Sequence, residues 1–411
     1  MTLPRKQGSL KLSTLCFLLG LLTMYKIDSI SYFIHGFGAF YYLLSGVELF
    51  LSVIVYAMGE ARWSMMHTLT LAYCVAILGS TVMNGASISA CLQEIFTLFP
   101  FLVMMDLGIR CGGRRFYRAA FLISCPLLTL NTITAILFPH AMFRDVTGAS
   151  TIFLLGADNS LVVRYMIGAL FEWLYRREYR NDRQFPVCAI ANLLVFVFVR
   201  DIGAGKVITV IMIVLLLLAL KLPEFKFGLG LAVGINAAFF LIIVVGGGSL
   251  GWANPIFELL GRNSNLTHRT WLWSFALGLI SAHPLLGIGS FTATSFNDLI
   301  FGMTTSGLYN TGNPHNTYLT VLLTGGLITF AVFCWLIGIA CRNGRTLTDY
   351  RLSTILFIFL FAFMFHAQIE GRDTVYILAM SYCMYDISRL NVNTLKYCSG
   401  SSTAMSRSEQ A

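Results

Sequence analysis

The sequence predicts an all-α, polytopic membrane protein of about twelve transmembrane helices with one large loop on the far side. Three observations carry that prediction. The 411 residues are 57% hydrophobic and 11% charged, with a mean hydropathy of +0.74, where soluble proteins carry roughly 25% charged residues. Apolar runs long enough to cross a bilayer recur along the chain. Lys and Arg are concentrated in alternate loops, which is the signature of membrane orientation.

Taken in order, the first span is 10–27, behind Arg5, Lys6 and Lys11. No A-x-A-like site follows it, so it reads as a retained helix rather than a cleaved leader. The second, 30–57, is long enough to tilt or to break near Gly46. Spans at 65–82, 87–107, 119–138, 152–175, 186–200, 206–221 and 227–247 follow, and 317–340, 352–369 and 374–389 come after the loop. The organisation is therefore 1–247 (about nine helices), loop 248–316, helices within 317–396, and a Ser-rich tail, 397–411, read as disordered and cytoplasmic.

One set of loops holds Arg110, Arg114, Arg115, Arg118, Arg176, Arg177, Arg180, Arg183, Lys221, Lys226, Arg342, Arg345 and Arg351. With both termini this set takes about twenty of the 28 basic residues, and by the positive-inside rule it is cytoplasmic. The 248–316 loop then faces the far side, the periplasm in a diderm bacterium. The formal charge of +9 is spread through short loops, which fits topology and argues against a nucleic-acid partner. Cys16, Cys74, Cys91, Cys125, Cys188, Cys334 and Cys383 sit in apolar runs and read as packing residues or reduced thiols. Neither CxxC nor a Cys/His cluster has metal-ligand spacing.

The loop from Gly248 to Asn316 is the polar interruption in this apolar chain, with two Arg and three His. An amphipathic helix is expected from Trp271 to about Ala282, lying on the membrane surface. His283-Pro284-Leu285-Leu286-Gly287-Ile288-Gly289 then ends it. Arg269, near the helix N-terminus, has the planar fork and the position to meet a phosphate. Trp271 and Trp273 stack on sugar faces in one reading and anchor at the interface in the other. His315, where the loop re-enters the membrane, is a candidate general base, with Asn316 orienting; the plainer reading is a His that caps the next helix. Arg200 and Lys206 flank a Gly-rich turn, Asp201-Ile202-Gly203-Ala204-Gly205, able to hold an anion. Its plainer reading is a helix-helix turn with Arg200 paired to Asp201. Arg164 lies inside a span and, like Lys26, Arg144, Arg262 and Arg372, runs against the charge bias.

At these residues the chain resembles the O-antigen ligase and polysaccharide polymerase superfamily of bacterial inner-membrane glycosyltransferases. Its signature is His, Asn/Ser/Gln, nine residues, then Gly-x-x-Gly/Thr/Tyr. Here that is His315-Asn316, nine residues, then Gly326-Leu327-Ile328-Thr329. Leu266-Thr267-His268-Arg269-Thr270-Trp271-Leu272-Trp273 and Pro284-Leu285-Leu286-Gly287-Ile288-Gly289 are similar to the family's upstream segments, with His268 in place of the usual Gly. Gly205-Lys206 stands where the family often has Ser-Arg or Ser-Lys. The close match covers about residues 258–330.

The resemblance implies transfer of a glycan from an undecaprenyl-diphosphate-linked oligosaccharide donor to an acceptor sugar hydroxyl at the periplasmic face. The acceptor is a second lipid-linked glycan in a polymerase or lipid A-core in a ligase. The Leu-Gly-Arg, Leu-Thr-x-Arg-Thr and Leu-Trp elements resemble exopolysaccharide-type polymerases more than ligases. The implied roles are His315 and Arg269 as catalytic residues, with Lys206, Arg200, Asn316, Trp271 and Trp273 in substrate binding. Membrane lipids and a chain-length regulator are the further expected partners. No cofactor is expected. With no Asp-x-Asp pair on the outward loops, the reaction is expected to be metal-independent. A lipid-linked-sugar transporter is the reading from another class; it predicts two related halves, and the sequence shows no internal repeat.

Overall fold

A computed structural model describes residues 11–34, 36–144, 151–179, 184–246, 269–301, 312–371 and 373–390. Helices make up most of the described residues. They are α1 (Leu12–Met24), α2 (Ile30–Phe33), α3 (Phe37–Ala57), α4 (Met65–Met83), α5 (Ile88–Leu107) and α6 (Arg114–Leu137). After a short hairpin come α7 (Asp158–Tyr179), α8 (Val187–Val199), α9 (Gly203–Lys221) and α10 (Leu229–Phe239). Two helices follow in the loop region, α11 (Arg269–Ala282) and α12 (Ala293–Phe301). The last are α13 (Thr317–Gly344), α14 (Tyr350–His366) and α15 (374–390). Among the described residues, six helices are long and apolar enough to cross a membrane: α3, α4, α5 with its extension, α6, α9 and α13. Shorter apolar helices, α1, α8, α10 with its extension and α14, pack among them. Wider turns extend α5 over Gly108–Gly112 and α10 over Phe240–Val245 as π-helix.

The second span breaks at Gly36 rather than near Gly46. Gly36 has φ +82°, a left-handed conformation that costs glycine little, whereas Gly46 lies inside α3. The expected span at 152–175 begins as strand instead. β1 (Phe143–Arg144), β2 (Thr151–Phe153) and β3 (Gly156–Ala157) form an antiparallel sheet, so the chain is not purely helical. The cysteine reading is corrected at one pair: Cys125 of α6 and Cys188 of α8 form a disulfide, with Cα atoms 6.7 Å apart. The two helices pack side by side, a proximity that a sequence separation of 63 conceals.

The core runs through the whole bundle. In α14 every residue from Thr354 to Met364 is buried, as expected of a helix apolar on all sides. The basic loops share one end of the bundle: Arg114 pairs with Glu178 at 3.0 Å and Arg177 with Asp349 at 3.2 Å. The opposite end gathers the hairpin, the 200–206 turn and the segments around α11 and α12. There Arg200 donates to Pro139 O, and Ser87 N donates to Ser290 O at 3.2 Å. Residues 248–268, which include Arg262 and His268, lie outside the described residues, as do Arg372 and the tail.

Candidate active site

The expected helix after the Arg269 segment is present, and the Pro-Gly turn behind it explains its own sequence. Within α13, Gly326 has φ +64° and ψ −164°, so the helix is broken there. Pro284-Leu285-Leu286-Gly287-Ile288 fills the break. Leu327 N donates to Pro284 O at 2.9 Å, Ile328 N to Leu285 O at 3.3 Å, and Ile288 N to Leu323 O at 2.6 Å. Ser80 of α4 donates to Thr324 O at 2.8 Å and also to Leu286 O. A broken membrane helix needs its freed backbone groups satisfied by protein, and the turn does so. A Cβ at Gly326 would lie 2.2 Å from the Leu285 carbonyl, and one at Gly287 2.2 Å from Leu323 O. The two motifs, about forty positions apart in sequence, are therefore halves of one joint.

That joint sets the depth of the segment before α13, which carries His315. His315 adopts φ +48°, an unusual conformation for a residue with a side chain. Its neighbours hold it there. His315 N donates to Asn313 Oδ1 at 2.7 Å. The indole N–H of the buried Trp273 donates to Pro314 O at 3.0 Å, tying α11 to the segment. Gly312 N donates to Asn297 Oδ1 of α12 at 3.2 Å. Asn316 is fully buried and caps α13: its Oδ1 accepts from Leu319 N at 3.1 Å, and its Nδ2 donates to Gln368 O at 2.9 Å. Backbone strain held in place by surrounding contacts is a mark of functional sites.

The turn between α14 and α15 completes the site with residues the sequence reading missed. His315 Nδ1 lies 3.7 Å from Glu370 Oε1, just beyond hydrogen-bond reach. Glu370 Oε1 also accepts from Gly371 N at 3.0 Å. Burial pushes the Glu370 carboxyl up, but the His315 ring, then the charges of Arg269 and His366, outweigh it and bring its pKa down to about 2. Asp373 pairs with His366; burial raises the Asp373 carboxyl, with His366 opposing. Thr317 Oγ1 donates to Glu370 O at 2.7 Å and accepts from Asp373 N at 3.0 Å, so α13 carries both the turn and His315. Gly371 leaves no room for a side chain, since a Cβ would sit 2.0 Å from Asn313 Oδ1.

Arg269 opens α11, and its charge acts on both Glu370 and His366. Arg269 and His315, 46 positions apart in sequence, thus act on the same carboxylate. The other candidates separate. Trp273 and Asn316 are buried and hold backbone, so the structure gives both a positioning role; neither offers a free face to a sugar. Trp271 is 38% exposed and stacks near Phe275. Lys206 pairs with Asp201. Arg200 donates to Pro139 O and to Thr151 Oγ1 and lies over the Phe153 ring at 4.7 Å, contacts that hold the hairpin. Ala204, from the same turn, packs against the apolar cluster of Trp273 and Ile369, which places that turn beside the site.

A legible signal for Glu370 existed: Gln368-Ile369-Glu370-Gly371-Arg372-Asp373 is a charged interruption between two apolar runs. The family motifs stop before it. The family model described as O-antigen ligase matches residues 146–334, from the hairpin through the break in α13. Among curated proteins no match was found. The matched region holds Arg269, the Pro-Gly turn, His315 and the Gly326 break, so over these residues this multi-pass membrane protein is similar to the O-antigen ligase family.

Proposed function

We propose that the protein transfers a glycan from an undecaprenyl-diphosphate-linked donor to a sugar hydroxyl at the periplasmic membrane face, as a polymerase of an exopolysaccharide or O-antigen. The observation that carries the reading is the single carboxylate, Glu370, on which both His315 and Arg269 act. His315 Nδ1 is turned to Glu370, which leaves Nε2 for the acceptor hydroxyl. In the reaction the acceptor oxygen bonds to the anomeric carbon as the bond to the diphosphate breaks. The hydroxyl proton passes to His315, and the ionised Glu370 stabilises the imidazolium that forms. The diphosphate leaves with added negative charge, which Arg269 at the start of α11 meets with its guanidinium. Lys206, on the neighbouring turn, supplies a second positive charge toward it.

His315→Ala and Arg269→Ala are each expected to abolish glycan transfer while expression and membrane insertion stay normal. Normal polymer from either variant removes that residue from the catalytic pair. Purified wild-type enzyme is expected to keep its rate in EDTA; a loss restored by Mg²⁺ would refute metal-independent transfer. Offering lipid-linked repeat units and lipid A-core as rival acceptors decides polymerase against ligase, and the family's name makes lipid A-core the control that matters.

A further inference from the structure

Beside the start of α15 lies a partly open cavity of about 260 Å³, lined by α1, α3, α5, α7 and the 26–31 segment. It falls below the ~300 Å³ at which sites for drug-sized ligands begin, so it suits a small polar ring rather than a lipid chain. Its wall includes the tyrosines Tyr42 and Tyr376, whose rings offer apolar faces, and three charged groups, Lys26, Asp28 and Arg164. Lys26 pairs with Asp28 at 2.9 Å, while Arg164 reaches the same carboxylate only at 3.8 Å. Arg164 is nine-tenths buried, spends one guanidinium nitrogen on Leu155 O and has Tyr376 as a further hydrogen-bond partner. A buried guanidinium inside a membrane bundle is costly and calls for a role.

Tyr376 joins this cavity to the His315 cluster. Its backbone N–H donates to Asp373 O at 3.0 Å, and Asp373 pairs with His366. Two substrates that react at one centre must approach it from different flanks. A diphosphate is drawn to Arg269 on the α11 side, which leaves the cavity flank to the acceptor. Carboxylate, guanidinium and tyrosine faces together match the hydroxyls and the apolar face of a sugar.

We propose that this cavity is the subsite for the acceptor glycan, taking a sugar ring beside the reacting hydroxyl, with the Arg164 guanidinium and the Asp28 carboxylate as its hydrogen-bonding groups. The proposal rests on the glycosyl-transfer reading above. Gly38 provides a clean test, because it lines the cavity and a Cβ there would meet nothing within 4 Å. Gly38→Phe therefore fills the space without disturbing the helix.

Full-length enzyme in lipid nanodiscs would be assayed with a lipid-linked donor and a lipid-linked repeat-unit acceptor, varying each in turn. The expected result for Gly38→Phe is a rise of about tenfold or more in acceptor KM, with donor KM within about twofold of wild type. Tyr42→Ala, which removes a half-exposed ring, is expected to move acceptor KM in the same direction and stands in if Gly38→Phe yields no folded protein. An unchanged acceptor KM in a folded variant overturns the subsite, as does a rise confined to donor KM. A wild-type enzyme that transfers no sugar at all to any acceptor instead overturns the glycosyl-transfer reading, and the subsite with it.

Discussion

Glu370 is the residue on which the site turns. Its carboxylate lies 3.7 Å from His315 and feels the charge of Arg269, so its ionised form is held down to about pH 2. Glu370→Gln keeps the shape and removes the charge. We expect kcat to fall by about 10²-fold or more with KM little changed, because the charge matters when His315 becomes an imidazolium. The folded pKa lies below the ordinary Glu value, so the linked stability is present above about pH 4.3 and is lost as pH falls toward 2. Thermal melts of wild type and Glu370→Gln in detergent should therefore converge as pH falls from about 5 to about 3; a constant gap would show that the charge is not what stabilises the fold. The resemblance pointed to His315 and Arg269 as catalytic candidates and to Asn316 and Trp273 as substrate-binding ones. Both look like binding residues in a motif, and only their hydrogen bonds to Leu319 N, Gln368 O and Pro314 O reveal that they hold the backbone around His315.

At the scale of elements, the break in α13 and the turn after α11 form a single unit. Gly326→Ala would force a side chain into the Leu285 carbonyl at a positive φ. We expect it to cut the yield of folded protein severely, measured by monodispersity after detergent extraction. Gly338→Ala in the same helix meets nothing within 4 Å and should be neutral or slightly stabilising. Equal yields from the two variants would show that the joint does not support α13. The helices themselves were legible because each is a run of apolar residues. The break at Gly36 and the hairpin ahead of α7 were not, since a glycine's φ and a two-residue strand pairing depend on neighbours distant in sequence, here Asp28 beside Gly156.

For the whole molecule, the basic loops meet at one end of the bundle and the candidate site lies at the other. With the positive-inside rule this predicts a site outside and basic loops inside. In a background lacking Cys111 and Cys334, Thr292→Cys should react with a membrane-impermeant thiol reagent on intact cells. Thr346→Cys should react only after permeabilisation. The reverse pattern would invert the orientation and place the site in the cytoplasm.

Composition and apolar periodicity by themselves determined a polytopic helical bundle, because lipid demands long apolar helices whatever their packing. The residue order also determined the two motifs that mark the family. Tertiary structure alone decided that Arg269 and His315 act on one carboxylate, and that this carboxylate comes from a turn 55 positions after His315. It also decided that Cys125 meets Cys188 and that Arg164 borders a cavity. The physical reason is common to these cases. Transfer into lipid is a property of each segment taken singly, whereas charge coupling falls off within a few ångströms and depends on which segments the bundle brings together.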